Sequence, residues 1–134
     1  MEKVLKFTKL NMLKKGMLAV ILSLSMAMAL PMVSHATTVT TSVYSITSGT
    51  YYYYVRKSGS STELGVMKLS SSSTAVKNTF TASVKCENVT VYVRDNTSVD
   101  YASKSDSLAA NKSITASKTI TNYVKTYGYC SVTY

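Results

Sequence analysis

The sequence predicts an all-β fold: a small antiparallel β-sandwich of about seven strands, preceded by a cleaved export signal. Three observations carry this expectation. Beyond residue 36, apolar and polar residues alternate with period two, and helical spacing is almost absent. Val, Ile and Thr supply 32 of the residues from 37 to 134, and β-branched side chains suit a pleated backbone. Short strand-like runs are separated by Gly, Asn and Ser turn signals.

Residues 1–36 read as a secretory signal. Lys3, Lys6, Lys9, Lys14 and Lys15 form a cationic start, and Met17 to Val33 is an uncharged apolar run. Pro31 ends that run, and Ser34-His35-Ala36 offers small residues at both specificity positions of a cleavage site. An apolar run of 17 residues is short for a membrane span. The expected product is therefore secreted (extracellular), with no stable membrane anchor after cleavage. The long lysine-rich start is in the style of a Gram-positive bacterium. Residues 37–134 then form a single domain. The whole chain carries +9, but this part has 10 basic and 5 acidic residues, a net +5.

The strands are expected in this order. Val39–Thr47 is the first, with Val39, Thr41, Val43 and Ser45 on one face. Tyr51–Lys57 follows Gly49. Ser58-Gly59-Ser60 turns the chain into a strand near Thr62–Leu69, and Ser70–Thr74 is a loop. Thr79–Cys86 and Val89–Arg94 read as a hairpin closed by Glu87-Asn88, because Cys86 and Val89 then share the apolar face. Asp95–Lys112 is polar and reads as a long connection that Tyr101, Leu108 and Ala109 pin to the core. Lys118–Thr126 and Cys130–Tyr134 form the last pair, joined by a Tyr127-Gly128-Tyr129 loop that sets Val124 opposite Val132. Leu, Ile, Val and Phe are scarce, so tyrosine must supply part of the core.

The composition excludes several chemistries. Residues 37–134 contain no His, because the only one is His35. No His-dependent catalysis, and no His-containing zinc site, is available to the expected product. Asp95 and Asp100 share one loop but read as solvated, and the Asp95–Asp100 segment lacks the glycine and spaced acids of a calcium loop. No metal or cofactor is expected. The dispersed lysines form no basic stripe, so nucleic acid is not an expected partner. Cys86 and Cys130 are the only cysteines. In an exported protein an even count predicts a disulfide, here closing a loop worth about 4 kcal/mol in the chain-entropy model.

The run Tyr51-Tyr52-Tyr53-Tyr54 is the most unusual feature. On a strand its members alternate between faces, so two tyrosines enter the core, and Tyr52 and Tyr54 share a face with Arg56. That stripe is the candidate binding surface, because tyrosine offers rigid amphipathic contact at low entropic cost. The expected function is that of a non-enzymatic module binding a cell-wall polymer, a glycan or a protein. A secreted bacteriocin-like toxin acting on competing cells is the second reading, resting on size, export and positive charge.

Overall fold

The computed structural model describes residues 35–122 and 124–134. The expected export signal lies outside the described residues, apart from His35 and Ala36. Nine strands, and no helix, occur among the described residues: β1 (Thr38–Thr40), β2 (Tyr44–Ile46), β3 (Gly49–Arg56), β4 (Glu63–Ser71), β5 (Ala75–Ala82), β6 (Cys86–Asp95), β7 (Ala102–Leu108), β8 (Ser113–Thr119) and β9 (Thr126–Thr133). They form two antiparallel sheets. The four-stranded sheet runs β3-β4-β5-β8. The five-stranded sheet runs β1-β9-β6-β7, with β2 continuing beside β1 along the same edge of β9.

Alternation builds the core. Leu64, Met67, Leu69, Val76 and Phe80 from the four-stranded sheet join Val89, Val91, Val93, Cys130 and Val132 from the other, all fully buried. Asn78 is also fully buried, and it ties the sheets together. Its Nδ2 donates to the Tyr92 and Tyr129 carbonyls of the facing sheet, each at 3.0 Å. Those two residues lie directly opposite each other on β6 and β9.

The expected first strand is two. Thr41 interrupts it: its N–H donates to the Cys130 carbonyl at 2.9 Å, and its hydroxyl accepts from the Cys130 N–H at 3.1 Å. After that break the alternation shifts, so Ile46 is buried and Val43 is exposed. The expected hairpin at Glu87-Asn88 is not a turn. Both residues lie inside β6, where the register with β7 jumps from Cys86–Leu108 to Val89–Asp106. This is a β-bulge, and like a two-residue turn it keeps Cys86 and Val89 on one face. The chain instead crosses between sheets through Ser83, Val84 and Lys85.

The expected Tyr127-Gly128-Tyr129 loop is likewise the interior of β9, which occupies a central place between β1/β2 and β6. Val124 precedes β9 and does not pair with Val132, which lies opposite Val39 and Val89. Gly128 is needed for closeness rather than for a turn. A Cβ there would come within 2.6 Å of Leu69 Cδ1 and 3.1 Å of Asn78 Nδ2. β7 lies within the segment expected to be a connection. Its Lys104 and Asp106 pair with Val91 and Val89 on the inward side yet remain exposed, because β7 is the sheet edge.

The disulfide expected between Cys86 and Cys130 does not form, and both residues are buried free thiols. Register explains why. Cys130 lies opposite Val91, and Cys86 is five residues further along β6, roughly 15 Å away at a strand's rise per residue. A disulfide needs Cα atoms about 6 Å apart.

Candidate functional site

The structure brings Tyr52, Tyr54 and Arg56 together on the outer face of β3. Tyr52 is 60 % exposed and Tyr54 64 %, and Arg56 is exposed too. Their neighbours across the ladder come from β4: Lys68 opposite Tyr52, Val66 opposite Tyr54 and Glu63 opposite Arg56. The Lys68 ammonium stands 5.8 Å from the Tyr52 ring centre. Further across the sheet, Thr79 bonds Thr115 at 2.8 Å and Thr81 bonds Ser113 at 2.7 Å. The face is thus a hydroxyl-lined plane with tyrosine, Lys68, and Arg56 with the acid Glu63 at one side.

The inward members of the run behave differently from expectation. Only Tyr53 packs, with its ring stacked on Tyr44 at 3.9 Å between centres. Burial pushes its phenol above the ordinary tyrosine value, so it stays a neutral hydroxyl. Tyr51 remains 56 % exposed, and Val55 takes the second inward place. Tyr51 and Tyr53 help line a cavity of about 360 Å³ with Ser45, Thr47 and Lys125.

A second tyrosine surface, absent from the sequence reading, occupies the outer face of the five-stranded sheet. Tyr92 on β6 stacks on its cross-strand partner Tyr129 on β9, with centres 4.2 Å apart. Tyr101 meets Tyr129 edge-on at 5.1 Å. The Arg94 guanidinium lies 4.3 Å from the ring centre of its partner Tyr127 and 5.2 Å from that of Tyr101. Tyr101 is therefore not pinned to the core as expected. All of these residues are half-buried, and burial raises the Tyr129 phenol's pKa. The signal was available: Tyr92 and Arg94 alternate with core valines, and Tyr127 and Tyr129 share the same spacing.

The acidic and thiol groups are committed within the fold. Asp95 is buried at the end of β6, not solvated as expected. Its Oδ1 accepts from the Thr97 N–H at 2.8 Å and hydroxyl at 2.6 Å, and its Oδ2 pairs with Lys118 at 3.2 Å. The Thr97 bonds, with help from Lys118, hold its pKa below the usual carboxylate value. This closes the turn after β6, where Arg94 Nη1 donates to the Ser98 carbonyl at 3.0 Å. Burial pushes the Cys130 thiol up to about 12, so it carries no thiolate at neutral pH. No cluster of three His, Cys, Asp or Glu residues able to hold a metal occurs among the described residues.

Comparison with protein-family models, curated proteins and solved structures found no match.

Proposed function

We propose that the chain is exported, loses residues 1–36, and acts as a small β-sandwich binding module without catalytic activity. It would hold a glycan or other cell-surface polymer on the Tyr52–Tyr54–Arg56 stripe. One observation carries the reading: two adjacent tyrosine rings, 60 % and 64 % exposed, sit beside Arg56 and Lys68. The only ring contact of Tyr52 or Tyr54 among the described aromatic and cation–π pairs is that of Lys68 to Tyr52. A tyrosine ring presents an apolar face and a polar tip, which suits the C–H face and hydroxyl rim of a sugar. The neighbouring Thr and Ser hydroxyls add hydrogen-bonding capacity, and Lys68, whose ladder partners Tyr52 and Thr79 are uncharged, favours a polymer bearing negative charge.

Co-sedimentation of the exported protein with isolated bacterial walls, across a salt series, tests the reading. The expected result is pelleting that survives high salt and weakens at least tenfold in the Tyr52→Ala/Tyr54→Ala double variant. Pelleting that disappears with salt would leave only the net charge at work. Salt-resistant pelleting retained by the double variant would refute the stripe.

A further inference from the structure

The four strand edges of the two sheets are not equally protected. The β1/β2 edge is broken into two three-residue strands at Thr41. The β7 edge points Lys104 and Asp106 inward and carries a register shift against β6. The β8 edge carries Lys118 and packs beside β7. Short strands, bulges and inward charges are the devices that stop sheets from pairing edge to edge. β3 has none of them from Gly49 to Val55: seven residues with no charge and no proline. It stays regular against β4 as far as Val55, and the extra residue at the irregularity there is Leu64, on β4. Among the described residues, its free edge makes no backbone hydrogen bond from Gly49 to Val55.

We infer that this edge pairs antiparallel with β3 of a second copy of the chain. The strand is suited to itself. A two-fold axis normal to the sheet at Tyr53 places Tyr53 opposite the partner's Tyr53. It also places Tyr52 opposite the partner's Tyr54, twice, so aromatic side chains meet across the junction on one face. Thr50 falls opposite the partner's Arg56. Such an interface is isologous and closes at two copies. A single strand pair is a small contact, so the dimer is weak and depends on concentration. It joins two four-stranded sheets into one and sets their outer stripes side by side. The pairing uses the free backbone edge together with the side chains of Tyr52, Tyr54 and Arg56, and it holds or fails whether or not the stripe takes a ligand.

The test uses Thr50, which is exposed and outside the stripe. Thr50→Lys sets two like-charge pairs against the partner's Arg56, whereas Thr50→Glu sets two opposite-charge pairs. Sedimentation velocity of the exported protein is run over a wide concentration range. The expected result is a monomer–dimer equilibrium, with the dissociation constant raised at least tenfold by Thr50→Lys and unchanged or lowered by Thr50→Glu. A strictly monomeric native protein at millimolar concentration would overturn the pairing. So would open-ended fibres in place of a dimer, or equal effects of the two substitutions.

Discussion

The outer faces of the two sheets carry tyrosine at the same spacing: Tyr52 and Tyr54 on β3, Tyr127 and Tyr129 on β9. Their surroundings differ because their strands do. β9 is central, with β6 on one side and β1/β2 on the other. Each of its outer tyrosines therefore meets a large partner across the ladder, Tyr92 for Tyr129 and Arg94 for Tyr127. β3 is an edge with one neighbour, which offers Lys68 and Val66. The same residue in the same pattern thus yields a closed, mutually stacked surface at the centre of one sheet and an open one at the edge of the other. The closed surface packs within the fold, and the open one is the proposed binding surface.

The largest effect expected from breaking this arrangement lies beneath the closed surface. Asn78 Nδ2 holds the carbonyls of both Tyr92 and Tyr129 from the opposite sheet. Asn78→Asp would replace that donor with a carboxylate facing two carbonyls in a dry interior. The expected loss is about 4 kcal/mol or more, read as a chain that fails to give a cooperative urea transition. Removing one ring from the surface itself is milder. Tyr129→Ala loses its stack with Tyr92 and its edge contact with Tyr101, about 2 kcal/mol, which chemical denaturation measures. Tyr52→Ala/Tyr54→Ala should stay within about 0.5 kcal/mol per site, as exposed substitutions do.

Acid sharpens the contrast by a smaller amount. The carboxyl of Asp95 titrates below its unfolded value in the native protein, so the fold favours the charged form. That contribution is full above the unfolded aspartate pKa and is lost as pH falls through the lower folded value. The urea midpoint should therefore hold from neutrality to about pH 5, then fall below about pH 4. Asp95→Asn should remove part of that fall. Because Asp95 closes the turn leading to Tyr101, hydrogen exchange should rise first around Thr97–Tyr101, with β3 unaffected.

Much of this was legible in the sequence, and the failures have physical causes. The period-two alternation located β3 and β4 to within two residues and β6 from Val89 onward, and it placed Tyr52, Tyr54 and Arg56 on one face; β5 starts and ends four residues before the expected Thr79–Cys86, because the alternation runs on through the crossing at Ser83, Val84 and Lys85. The bulge at Glu87-Asn88 reads as a turn in the sequence because both devices preserve the facing of Cys86 and Val89. β9 was cut in two by reading Gly128 as a turn residue, when a glycine inside a strand also marks close approach of a neighbour. That one error hid the second tyrosine surface. β7 was missed because an edge strand with polar residues on both faces has no alternation to read. The disulfide inference rested on cysteine parity, which carries no information about register.

One tyrosine surface is thus assigned to the fold and the other is proposed to bind. Thermal midpoint and salt-resistant wall pelleting, measured together on Tyr129→Ala and on Tyr52→Ala/Tyr54→Ala, test it directly. A crossed result is expected. Tyr129→Ala lowers the midpoint by about 10 °C and pellets normally at low temperature, while the double variant melts within about 5 °C of the native protein and no longer pellets in high salt. A double variant that unfolds early yet still binds, or a Tyr129→Ala protein of native stability that has lost binding, would contradict it.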